Sequence, residues 1–154
     1  MSTLKRLTLI LILTALTACS ATPTSTLAGN RQKWEAKNIS HYRFNLAISC
    51  FCAFSDKMPL TIEVQDGQIV SMVDNQGQPV TDFKETFDQY NSIEKLFATL
   101  DAAENATAEN GGADKVTVTY NAEFGYPESV YIDYIEMAAD DEIGFTVSEF
   151  ESLP

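Results

Sequence analysis

Positive charge is what this chain has least of: ten Lys and Arg stand against 22 Asp and Glu, for a net charge of -12. A protein that binds duplex neutralises phosphates with clustered cations. The basic residues here are scattered over an acidic body, so nucleic acid is excluded as a partner. An anionic membrane surface would repel that body too. Histidine occurs once, at His41. A hydrolase triad would have to be built around it, and neither Ser40 beside it nor any other serine sits in a nucleophile elbow. Glycine-rich phosphate loops and dinucleotide fingerprints are missing. So is the Asp-x-Asp-x-Asp-Gly spacing of a calcium-binding EF-hand. The longest apolar run, Leu7 to Leu16, is too short for a permanent membrane span, which takes roughly 20 residues.

That run nonetheless has a setting. Lys5 and Arg6 precede it, and Leu16-Thr17-Ala18-Cys19 follows. A basic start, an apolar stretch and small residues before a cleavage point describe an export signal. Leu, two small residues and then Cys resembles the lipobox of bacterial lipoproteins, in which the cysteine is acylated and becomes the new N-terminus. The expected organisation is a signal at residues 1–18 and a lipidated Cys19 leading a flexible tether to residue 29. One domain then fills residues 30–154. Losing Lys5 and Arg6 leaves eight basic residues against 22 acidic ones, a mature charge of -14, so the acyl chains must do the anchoring. Ser20, rather than Asp, follows the cysteine; under the sorting rule of Gram-negative lipoproteins this implies the periplasmic face of the outer membrane.

Within the domain, Asn30 is placed to cap a short helix through Trp34 to about Asn38. Tyr42, Phe44, Leu46, Ile48, Cys50 and Cys52 then share one parity, the period of a half-buried strand. Leu60, Ile62 and Val64 form a second strand, joined through Asp66-Gly67 to a third at Ile69–Val73. Asn91, with Glu94 three residues on, reads as a capping box before the stripe Ile93, Leu96, Phe97 and Leu100. Strands are expected at 115–121, 128–134 and 143–150, with Gly125-Tyr126-Pro127 turning the chain between the first two. The order, helix and three strands twice over, predicts an α+β domain: an antiparallel sheet with helices on one face, in the outline of a pseudo-repeat. PepSY domains and proteinaceous β-lactamase inhibitors share that outline, which transfers no function.

Several of these features occur together in one family. Trp34 in the first helix, Tyr42 and Phe44 running into Cys50 and Cys52, the Asp66-Gly67 hairpin, and Tyr120, Gly125-Tyr126-Pro127 and Ile132-Asp133 near the end make the chain resemble the domain-of-unknown-function family numbered 6174. Asn121 departs from the Asp expected after the tyrosine. The resemblance implies an envelope lipoprotein and brings no biochemical activity with it.

Four candidate sites remain. Cys50 and Cys52 would form a disulfide by default in an exported chain, yet on an extended strand their Cα atoms would lie about 6.6 Å apart, near the limit for a bridge. The pair reads as a thiol–disulfide exchange site, as a structural clip, or as two buried thiols. Zinc would need four ligands, and with Cys19 lipidated only Cys50, Cys52 and His41 remain as soft donors. Asp133, Asp140, Asp141 and Glu142 could gather oxygen ligands for Ca²⁺, or form a solvated loop. Phe124 and Tyr126 could present an aromatic binding patch, or Tyr126 could pack over the turn. No cofactor is implied, and no nucleophile comes with its base. The expected function is therefore a lipid-anchored, non-enzymatic binding module, with an envelope redox protein and a calcium module as alternatives.

Overall fold

The computed structural model describes residues 26–154; Cys19 and the segment before it lie outside the described residues. The period-two alternation becomes strand β1 (His41–Ser49), with Tyr42, Phe44, Leu46 and Ile48 buried between more exposed neighbours. Strand β2 (Leu60–Gln65) lays Leu60, Ile62 and Val64 directly opposite Leu46, Phe44 and Tyr42. Asp66 and Gly67 both take positive φ, 50° and 74°, as a primed two-residue turn requires, and lead into β3 (Gln68–Val73). The second half supplies β4 (Lys115–Tyr120), β5 (Pro127–Asp133) and β6 (Ile143–Ser152).

These strands form one six-stranded sheet in the order β3-β2-β1-β6-β5-β4, antiparallel throughout, so the domain is α+β. Each half is a meander, and the first and last strands join them. At that seam Leu46 faces Val147 and Ile48 faces Phe145, which puts the middle of the core where the two halves meet. Alternation breaks once in β6. Glu149 takes a φ of 50° where the register with β1 slips, a bulge that turns Phe150 onto the core side and leaves Glu149 exposed. The opposite face stays polar, with Arg43 Nη2 2.7 Å from Glu151 and Thr61 Oγ1 donating to Asn45 Oδ1 at 2.8 Å.

Three helices accompany the sheet: α1 (Leu27–Glu35), the single-turn α2 (Lys84–Phe87) and α3 (Ile93–Asn105). The stripe in α3 is buried as expected, through Ile93, Leu96, Phe97 and Leu100, and continues to Ala103. Each such large side chain contributes roughly 1.5–3 kcal/mol by leaving water.

Both helix starts differ from expectation. Thr26, not Asn30, caps α1, its hydroxyl accepting from the Gly29 N–H at 3.2 Å. Ordered structure therefore takes in Thr26–Gly29, which composition alone assigns to a tether. Ser92, not Asn91, caps α3 and accepts from the Lys95 N–H. Asn91 is buried instead, its Nδ2 donating to Asp88. No described helix is long and apolar enough to cross a membrane.

The turn at Gly125 fixes where α1 lies. Gly125 has a φ of 86°, and a Cβ there would stand 2.7 Å from the Asn30 carbonyl oxygen and 3.0 Å from Lys33 Cβ, so the backbone of α1 lies directly on the β4–β5 turn. Lys33 Nζ also donates to the Ala122 carbonyl. Asn121 shapes the same turn: its Oδ1 accepts from the Glu123 and Phe124 N–H groups and its Nδ2 donates to Glu128. An aspartate could accept those bonds but could not make the donation.

Candidate functional site

With α1 fixed by the turn and α3 by its apolar stripe, the two helices meet at Trp34. Its indole is 4% exposed and meets Tyr42, Phe150 and Tyr126 edge to face, with centroids 5.4, 5.6 and 6.2 Å away. The indole Nε1–H needs an acceptor at such burial, and Glu94 Oε1 of α3 supplies one at 3.0 Å. The other oxygen, Oε2, accepts from the Tyr42 hydroxyl at 2.8 Å, and that hydroxyl accepts from the Ile93 N–H at 3.1 Å. Burial, and then the Glu94 charge, push the Tyr42 hydroxyl well above the usual phenol range, so it stays protonated and remains a donor. A single carboxylate is thus held at both oxygens by rigid donors from α1 and β1.

Glu94 is also one of the residues lining a cleft of about 550 Å³ between α1 and α3. Phe97, Ala98, Ala102 and Ile39 give it an apolar wall, while Glu35, Glu94 and Asp101 put three carboxylates on its lining. Arg31 is the one cation among the lining residues, and it is engaged: Nη2 donates to the Phe97 carbonyl at 2.8 Å and the guanidinium lies 5.6 Å from the Phe97 ring centre. Such a volume, with an apolar lining and a few fixed polar groups, has the dimensions of a small-molecule site.

The residues singled out from sequence lie elsewhere and do not converge. Cys50 and Cys52 fall past the end of β1 and are bridged, their Cα atoms 5.2 Å apart because the chain bends after Ser49 instead of continuing extended. Phe51 between them is 88% exposed. Lys57, a nearby cation that could favour a thiolate, is paired with Asp82 at 3.2 Å. Asp133 ends β5, whereas Asp140, Asp141 and Glu142 lead into β6. No group of three or more His, Cys, Asp or Glu is arranged to hold a metal among the described residues.

Of the two readings of the aromatic pair, the one in which Tyr126 packs inward matches the structure. Tyr126 is only 4% exposed and packs against Phe150 and Trp34, so it belongs to the core. Phe124 is half-buried, stacks on Tyr126 and has Lys37 Nζ 5.2 Å over its ring. His41 bonds Glu63 Oε1 through Nε2 and the Pro154 carbonyl through Nδ1, both at 2.9 Å. These contacts tie the start of β1 to Pro154 and to β2.

Sequence reasoning passed over Glu94 as a mere capping partner and missed Arg31 and Asp101 altogether. The available signal was the lone Trp34 with a glutamate on the flank of an apolar stripe, and periodicity does not say which helix lies over which.

The architecture defines a class first: an all-antiparallel six-stranded sheet with two principal helices meeting at a cleft. Residues 26–152 match the family of unknown function DUF6174, and the chain belongs to that family. No curated protein and no solved structure matches the chain.

Proposed function

We propose that this chain is an exported lipoprotein, anchored through Cys19 at the periplasmic face of an outer membrane, whose domain binds a ligand without chemical turnover. The observation that supports a binding role is the cleft lined by Glu94, concave and with an apolar wall, in which that carboxylate is held rigid. The anchoring rests on the lipobox-like Leu16–Cys19 alone. Growth with a labelled fatty acid tests it: label should enter the wild-type chain and be absent from Cys19→Ala. Label in neither, or equally in both, would remove the anchor from the proposal.

Binding is tested by screening small amphiphiles against the whole chain while following the indole N–H resonance of Trp34, the sole tryptophan. Compounds that shift it should lose their effect in Ala98→Phe, which fills the cleft from an exposed position on α3 and leaves Trp34 the sole indole. If no compound moves that resonance, the cleft is not the site.

One observation favours a second reading, thiol–disulfide exchange. The bridged Cys50 and Cys52 sit at a bend beside a phenylalanine that is 88% exposed. There an incoming thiolate would attack one sulfur and expel the other as thiolate. Intact mass after mild reduction and alkylation decides it: rapid uptake of two alkyl groups keeps this reading, and resistance removes it.

A further inference from the structure

The binding reading can be taken one step further, to the class of ligand. We infer that the α1–α3 cleft takes a small organic ammonium ion: a protonated primary amine on an apolar stem. The inference rests on the cleft being a binding site at all, and it adds the charge and shape of what enters.

Three observations carry it. First, the charged lining is unbalanced: Glu35, Glu94 and Asp101 face one cation, Arg31, whose guanidinium is already bonded to the Phe97 carbonyl and laid on the Phe97 ring. An anion entering here would meet three carboxylates and no cation free of a partner within the lining. Second, Glu94 is fixed before any ligand arrives, because Trp34 Nε1 and the Tyr42 hydroxyl each take one of its oxygens. A carboxylate oxygen has more than one lone pair, so each can accept a further N–H from an ammonium without giving up its protein donor. Pre-ordering of this kind removes the side-chain entropy that ordinarily weakens an exposed ion pair. Third, the remaining wall, of Phe97, Ala98, Ala102 and Ile39, offers nothing to hydrogen-bond along its side chains and suits a hydrocarbon stem.

The cleft's volume, about 550 Å³, suits a small molecule better than a flat protein surface. The whole body adds to the selection. A net charge of -12 concentrates cations around the chain and repels anions, most strongly at low salt.

The test titrates the whole chain with 2-phenylethylammonium, its neutral isostere 2-phenylethanol and the anion 3-phenylpropionate, reading Trp34 fluorescence. The ammonium should bind, the alcohol about tenfold more weakly and the anion not at all, with the preference falling as salt rises. Glu94→Gln should weaken the ammonium about tenfold and leave the alcohol unchanged. Because Glu94 also supports Trp34 and Tyr42, the double variant Glu35→Gln/Asp101→Asn serves as a second probe and should likewise reduce ammonium binding alone. Equal affinity for ammonium and alcohol would overturn the ammonium assignment while leaving the cleft as a binding site. Failure of all three probes, or binding that survives in Ala98→Phe, would remove the cleft itself. An N-acetylated lysine peptide that binds more tightly than the free amine would overturn the small-molecule occupant in favour of a basic protein segment.

Discussion

Two parts of this molecule are rich in carboxylates, and they differ in what holds the carboxylates. Asp133 closes β5, and Asp140, Asp141 and Glu142 follow on the loop to β6, which also exposes Ile135 and Met137; both Asp141 oxygens are buried without a hydrogen-bond partner. At the α1–α3 cleft, Glu94 is bonded to Trp34 and Tyr42, two of the most buried side chains in the domain. Acidic residues next to one another in sequence remain far from a shared geometry. Acidic residues scattered at positions 35, 94 and 101 are brought to one lining because two helices cross a common core. Density of charge along a chain says little about a site; donors fixed by packing say more.

The contrast can be broken first at the turn that places α1. Gly125→Ala forces a side chain into a positive φ and against the backbone of α1, so it should cost about 2 kcal/mol or more and weaken any ligand bound in the cleft. Thermal melts of the variant check this, and a variant as stable as wild type would mean that α1 does not rest on the turn. Tyr42→Phe comes next. It strips one donor from Glu94 and the partner from the buried Ile93 N–H, at a cost of about 1–3 kcal/mol by denaturant unfolding.

The loop should behave oppositely. Asp140→Asn/Asp141→Asn/Glu142→Gln should raise stability, by about 1 kcal/mol or more, since it removes like charges and neutralises a carboxylate buried with no donor to hold it. Calcium against chelator should leave the melting temperature of the wild type unchanged; a clear rise with calcium would make the loop a site after all.

The smallest effect belongs to His41, whose ring is held by Glu63 and the Pro154 carbonyl at the rim of the sheet. The Glu63 hydrogen bond, with the Pro154 carbonyl next, raises its pKa above the usual value of 6.5. A group with a raised folded-state pKa stabilises fully below its unfolded pKa and loses that contribution as pH climbs through the folded one. The stability gap between wild type and His41→Gln should therefore be wider at about pH 5 than at about pH 9. A gap independent of pH would mean that the protonated ring gains nothing from Glu63.

Much of the fold was readable from local rules. Tyr42 to Ile48 announced β1 by parity, Asp66-Gly67 announced its hairpin, and Ile93 to Leu100 announced α3, because each signal is confined to a few neighbouring residues. The pairing of β1 with β6 was not readable, since nothing in either strand says which edge it will meet 100 residues away. Nor was the bulge at Glu149, which depends on the strand opposite. The candidate site failed for the same reason. Trp34 and Glu94 lie 60 positions apart, and their bond exists only once the sheet has set the distance between α1 and α3. The Cys50–Cys52 bridge, the default for an exported chain, was legible; on an extended strand the pair stands near the limit for a bridge, and the chain bends after Ser49 to close it.

The most direct test of the cleft as the binding site is a two-dimensional amide and indole NMR spectrum of the whole chain, recorded with and without 2-phenylethylammonium. Shifts should concentrate on the Trp34 indole N–H and on the amides of Ile39, Glu94, Phe97, Ala98 and Ala102, leaving the loop at 134–142 still. Shifts that gather on Asp140, Asp141 and Glu142 and spare Trp34 would contradict it, and would mean that the unpartnered carboxylates of the loop, not the fixed one of the cleft, are what this domain offers.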